Sequence, residues 1–244
     1  MAARKIHRIA ALAEALATER VLHVRQAAEL LKVSEMTVRR DVADNPASFQ
    51  FLGGHIMLAG ERDGEAPYEL GVAANRNAPE KRAACRHAIG LVSPGDTIFI
   101  DCGTTLVHLI ELIPEKADIT VVCCAMNVAE RLARRPDIRM IMLGGVYHPA
   151  TASFSGAPGL ETLDQLGINT GFLSAAGVDP ARGATCAHFH EVPVKQKVIA
   201  LAQRRHLVAD ESKIGVQKPA FFAPMSAFEL LITETGARAA NGLT

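Results

Sequence analysis

Apolar residues recur at helical spacing through the first forty positions. From 4 to 17 the residues Ile6, Ile9, Leu12, Ala13 and Leu16 share one face, which predicts a helix. Residues 21–24 (VLHV) are short and β-prone, enough for one small strand. Ala27, Ala28, Leu30 and Leu31 give 25–32 the buried side of a second short helix. Ser34 is a capping residue type, Glu35 suits the positive end of a helix dipole, and Val38 and Val42 share one face of a third helix. Asp44-Asn45-Pro46 ends it, because proline disfavours the helical region for its predecessor. Residues 49–58 (FQFLGGHIML) then read as two brief strands about Gly53-Gly54. This order is that of a winged helix-turn-helix, with the third helix in the reading position.

Residues 60–67 (GERDGEAP) are charged and lack apolar periodicity, so a linker is expected over 60–78. Beyond it the grammar changes. Helices are expected at 79–92, 106–112, 128–135, 159–166 and 192–205, alternating with strands at 97–101, 119–123, 139–143, 171–176, 206–210 and 229–233. The strands are continuous apolar runs, the mark of burial on both faces, so the fold class is α/β with a mostly parallel sheet. Domains are therefore expected at 1–59 (winged helix-turn-helix) and 79–235 (α/β), with 236–244 a flexible tail.

Composition narrows the picture. The 244 residues exceed one typical domain, carry no tryptophan, and must pack through aliphatic side chains. Lys plus Arg equal Asp plus Glu at 26 each, which excludes a uniformly basic surface. Residues 1–42 nevertheless hold eight cations against five carboxylates, an excess of three where a nucleic-acid footprint would need it. The five cysteines are odd in number and form no C-x-x-C pair, so neither a disulfide framework nor a common zinc pattern is supported. No signal peptide and no apolar run approaching the ~20 residues of a membrane span is evident, and a cytoplasmic location is expected.

Two regions carry chemistry. On the third helix Met36, Thr37, Arg39 and Arg40 project away from Val38 and Val42. Arginine grips phosphate or reads guanine bidentately, threonine bonds phosphate or meets a thymine methyl, and methionine packs on base edges. Taken alone, this is equally an ordinary solvated helix; the helices before it favour DNA. In the second region, strand ends carry polar or glycine-bearing loops, where open α/β sheets bind ligands. Asp101-Cys102-Gly103-Thr104-Thr105 permits close backbone approach, offers hydroxyls and opens a helix. Asn127 is either a helix N-cap or a ligand donor; Gly144-Gly145 and Gly177 are either ligand-facing or plain turns. Glu191, Lys195, Asp210 and Lys213 would bring two carboxylates and two cations together at strand ends, which either matches a hydroxylated, phosphorylated small molecule or forms solvated salt bridges. His188 and His190 with Cys186 do not make a recognisable metal set, and Cys102 has no assignable base, so it reads as a packing residue.

The segments SEMTVRRDV (34–42), EKR (80–82), DCGTT (101–105), the glycine pair after the third strand of the α/β part and DESKIG (210–215) resemble the DeoR family of bacterial repressors, collinearly over residues 4–235. The resemblance implies a C-terminal sugar-phosphate sensor related to ribose-phosphate isomerases. Effector contacts are then expected from Asp101, Gly103, Thr104, Thr105, Asn127, Gly144, Gly145, Glu191, Lys195, Asp210 and Lys213. DNA contacts are expected from Arg25, Ser34, Glu35, Met36, Thr37, Arg39 and Arg40. It further implies a repressor of deoxyribose and deoxynucleoside catabolism, a homo-oligomer (at least a dimer) on operator DNA, released by deoxyribose 5-phosphate, without cofactor, catalytic residues or metal. A different phosphosugar effector, or an isomerase-like enzyme, stays open at this point. The wing departs from the family pattern in lacking an arginine, which would leave more of the base reading to the third helix.

Overall fold

Why the first sixty residues make a three-helix unit follows from where their apolar stripes meet. The computed structural model describes residues 2–19, 21–46, 48–52, 54–58 and 70–242, in two units, 1–67 and 68–244. In the smaller unit, α1 (Ala2–Glu19) and β1 (Val21–His23) precede α2 (Val24–Leu31) and α3 (Glu35–Ala43), and β2 (Phe49–Leu52) and β3 (His55–Leu58) form the wing. The sheet order is β1-β3-β2, antiparallel throughout. Leu12 and Leu16 of α1 meet Val24, Ala27 and Ala28 of α2, Val38 and Val42 of α3, and Phe49 and Ile56 of the wing in one core. Val24, expected in the strand, instead opens α2, because His23 caps that helix reciprocally with Gln26.

The larger unit begins earlier than the expected linker allows. Residues 60–69 of that linker, like Gly53 of the wing turn, lie outside the described residues, but α4 (Leu70–Asn75) and α5 (from Ala78; Ala78–Ala88) are helical. There follow β4 (Thr97–Ile100), α6 (Val107–Ile110), β5 (Thr120–Cys123), α7 (Met126–Leu132), β6 (Arg139–Met142), the hairpin β7 (Val146–His148) and β8 (Ser153–Ser155), and α8 (Ala157–Asp164). The chain continues through β9 (Thr170–Ser174), β10 (Gly177–Asp179), β11 (Gly183–Cys186), α9 (Val192–Leu201), β12 (Arg204–Val208), β13 (Ala220–Ala223), β14 (Leu230–Thr233) and β15 (Gly236–Ala239).

The main sheet runs β15-β14-β12-β9-β4-β5-β6, parallel except for β15. Ile98, Phe99 and Ile100 point alternately to opposite faces and all are fully buried, so both faces are covered. A small antiparallel sheet, β10-β11-β13, accompanies it. Two expectations are corrected. The described part of the expected tail is not free: 236–239 pairs along β14, and Ala240 N–H donates to Glu229 O. The helix expected over 192–205 stops at Leu201, because Ala202 turns extended and feeds β12 from Arg204.

Candidate functional site

The outward side of α3 is set by its cap and its buried valines. Ser34, in extended conformation, accepts from Thr37 N–H at 3.3 Å, and the two hydroxyls share a bond at 3.0 Å. Burying Val38 and Val42 leaves Ser34, Glu35, Met36, Arg39 and Arg40 exposed and Thr37 half-buried; Met36 is 74% exposed, a large apolar side chain with no partner surface of its own. The Arg39 guanidinium lies over the Phe51 ring of β2, 4.7 Å from its centroid, and 3.9 Å from Glu35. The wing thus lacks an arginine but orients one. Behind α3, Arg8 grips the buried Asp41 carboxylate at 2.6 Å and Lys5 pairs with Asp44 at 2.6 Å. Arg25 stands exposed on the first turn of α2, 3.8 Å from Glu29.

In the larger unit the sequence runs outward from β4 to β5 and β6 on one side, then returns to β9, β12 and β14 on the other. The ends of β4 and β9 therefore form a topological switch point, the crevice where such sheets take ligands. Asp101 follows β4 there. Its Oδ2 accepts from Ser174 N–H at 2.8 Å, from Ser174 Oγ at 3.0 Å and from the Lys195 ammonium. Lys195, as deeply buried as Asp101, also donates to Ser174 O at 3.0 Å and sits 3.8 Å from Glu191. Burial works against its charge, but the Asp101 and Glu191 carboxylates outweigh that and hold its pKa well above the ordinary value. Asp101 Oδ1 is buried with no hydrogen-bond partner among the described residues. A buried acceptor left open beside a fixed cation suits a ligand hydroxyl.

The glycine loop next to it is braced from two sides. Gly103 takes φ +102°, a conformation side-chain-bearing residues rarely adopt, and its carbonyl accepts from Asn127 Nδ2 at 2.7 Å. Asn127 is not the N-cap of α7, which is Ala125; its amide holds the loop instead. Thr104 Oγ1 accepts from Lys81 Nζ at 2.9 Å, and Lys81 also donates to Ala73 O at 2.6 Å. Thr105 is buried, and its carbonyl accepts from the Cys85 thiol at 3.3 Å. The Cys102 thiol donates to Glu191 at 3.2 Å; Cys124, burial and the neighbouring carboxylates push its pKa well up, so it stays a thiol.

The expected foursome divides. Glu191 and Lys195 join Asp101, whereas Asp210 accepts from Asn77 Nδ2 at 3.0 Å and from Ser212, with its Oδ2 buried and unpartnered among the described residues. The cause is topological: β9 lies between β12, which delivers Asp210, and β4, which delivers Asp101. Lys213 belongs electrostatically to the Asp210 side, near Lys81. Gly145 is needed for packing, since a Cβ there would overlap the Ser155 carbonyl, while Gly144 faces open space. His188 and His190 belong to a histidine stack: His190 stacks on His148 at 3.6 Å, bonds Thr151 at 3.0 Å, and burial and its histidine neighbours lower its pKa to about 4. Sequence reasoning missed Ser174, Lys81, Asn77 and His148; only Lys81, within the EKR segment, left a local signal.

Residues 76–235 match the family described as DeoR C terminal sensor domain, and residues 8–44 the DeoR-like helix-turn-helix domain. The chain is 37% identical over 234 residues to the deoxyribose operon repressor of Escherichia coli strain K12, covering 96% of this chain and 92% of that protein. Among solved structures, Pyrococcus horikoshii OT3 translation initiation factor eIF-2B matches at TM-score 0.50 and 13% identity, over 67% of this chain and 66% of that one. Ribose 5 phosphate isomerase A from Neisseria gonorrhoeae matches at TM-score 0.42 and 21% identity, over 56% and 53%.

Proposed function

Because this chain belongs to the DeoR family of transcriptional regulators, we propose that it is a repressor that leaves its operator when the larger unit binds a phosphorylated sugar, deoxyribose 5-phosphate. The regulator assignment sets the isomerase-like reading aside: the chain is a DNA-binding transcriptional repressor and not an enzyme. Its target genes would be those of deoxyribose and deoxynucleoside catabolism, by similarity to the E. coli repressor, and its place of action the cytoplasm. No helix among the described residues is long and apolar enough to cross a membrane.

One observation carries the effector reading: the buried Asp101–Lys195 pair at the switch point, with Asp101 Oδ1 open and the glycine loop beside it. The open carboxylate oxygen accepts a sugar hydroxyl, and Gly103, Thr104, Thr105 and Lys213 face the phosphate end. Asn127 supports that loop and Glu191 joins the Asp101–Lys195 pair, while Gly144, Gly145 and Asp210 would border the ligand from neighbouring strand ends. On the output side, Arg25, Ser34, Glu35, Met36, Thr37, Arg39 and Arg40 meet the major groove and flanking phosphates, with a second copy on the two-fold related half-site.

The test takes duplexes selected in vitro by the full chain and measures binding with and without a panel of sugar phosphates. Deoxyribose 5-phosphate should weaken binding more than ribose 5-phosphate does. Equal or absent effects across the panel would reject this effector.

A further inference from the structure

We propose that Phe51 of the wing is a positioning residue for base recognition: its ring holds the Arg39 guanidinium in the pose from which Arg39 reads guanine in the major groove. The inference rests on the reading that Arg39 meets DNA and deepens it. Phe49 and Phe51 are two apart on β2 and so share one face of the wing, and Ile56, directly across from Phe51 on β3, shares it too. Phe49 and Ile56 are buried in the small core with Val38 and Val42. Phe51 is 37% exposed and lies outside that core; its ring carries the Arg39 guanidinium instead, 4.7 Å from the centroid.

How the arginine is held decides what it can still do. A ring face attracts the cation without offering a hydrogen-bond acceptor, so this contact engages none of the five N–H donors. Glu35, one turn earlier on α3, stands at 3.9 Å, beyond hydrogen-bonding distance, and the guanidinium makes no hydrogen bond among the described residues. Donors that are placed but unengaged are what a bidentate pair to guanine O6 and N7 requires.

An unrestrained arginine loses rotamer freedom when it docks, and the ring imposes part of that loss before DNA arrives. The Glu35 pair cannot impose it alone. Both of its side chains are nearly half exposed, where ion pairs are weak and screened by salt. The wing strands, FQFL and HIML, hold no arginine of their own. They therefore contribute to base reading through α3, by way of Phe51, and Phe51 acts on the base pair through Arg39.

Binding of the full chain to duplexes it selects in vitro, and to every single-base variant of them, tests this. Arg39→Ala identifies the base pair: the preference for guanine there should disappear while other positions keep theirs. Phe51→Leu should lower the preference at that same pair by about fivefold and leave the other positions unchanged. Phe51→Tyr, which keeps the ring, should retain the wild-type preference. In the Arg39→Ala background, Phe51→Leu should change nothing further at that pair. Should Phe51→Leu fail to fold, Phe51→Ile takes its place and should lower the preference likewise. A loss equal over all duplexes, or a preference untouched by removing the ring, overturns the positioning role and leaves Arg39 as a reader. If Arg39→Ala itself weakens all duplexes alike, or none, Arg39 reads no base, and this proposal falls with that reading.

Discussion

Asp101 and Lys195 are each about 1% exposed, so neither charge is tolerable without the other. Lys195→Met should leave Asp101 uncompensated and cost about 3–5 kcal/mol, read as a lower urea midpoint for the larger unit. Because the folded pKa of Lys195 is raised, the stability it contributes is complete below about pH 10.4 and lost only as pH climbs through the folded value. His190 has the opposite sense. Its pKa falls to about 4 in the fold, first through burial and then through His148 and His188, with Glu191 beside the stack. Between an unfolded value of about 6.5 and 4 the unfolded chain binds more protons, so stability falls as pH drops through that window. Urea midpoints at pH 7 and pH 5 should therefore differ more for wild type than for His190→Gln; equal differences would refute the assignment. Individual residues were the least legible scale in the sequence. Asp101, Lys195 and Glu191 stand out as charges in apolar surroundings, but Ser174 is a serine ending a strand, and its pairing with Asp101 spans 73 positions.

Helices were easier to read, because a stripe every three to four residues survives whatever it packs against. The stripe in 34–42 gave α3 its inward valines and outward arginines, although Arg39 resting on Phe51 depends on wing geometry that no spacing encodes. Arg40→Ala should cost about 1–3 kcal/mol of binding at the chosen base if Arg40 reads guanine bidentately. A loss uniform over all duplexes, measured across a set of single-base variants, would make it a phosphate contact. Arg8→Ala tests the α1–α3 clamp: it strands the buried Asp41 carboxylate and should destabilise the smaller unit by about 3 kcal/mol while weakening all DNA sequences alike. Short strands escaped notice for a physical reason. β7, β8 and β10 have three residues each and β11 and β13 four, too few for a period of two to show, and they are fixed by partners distant in sequence such as β11 with β13. The α4 helix was obscured by the charged segment before it.

For the whole molecule, sensing and repression are one linked equilibrium: an effector that loosens operator binding must itself be bound less tightly by the DNA-bound form, by the same factor. Measuring deoxyribose 5-phosphate affinity with and without operator checks this reciprocity, and operator binding should fall steeply with salt because phosphate contacts release counterions. The pairing of β15 with β14 has a practical consequence for handling the protein. That last strand occupies the outer edge of β14, whose Leu231 and Ile232 are fully buried. Cutting the chain after Thr235 would bare a row of unpaired amides and carbonyls along an apolar strand, a template for sheet-to-sheet association. Such a truncation should precipitate or form large species on gel filtration where the full chain does not, and proteases trimming the carboxyl end during purification would do the same unseen.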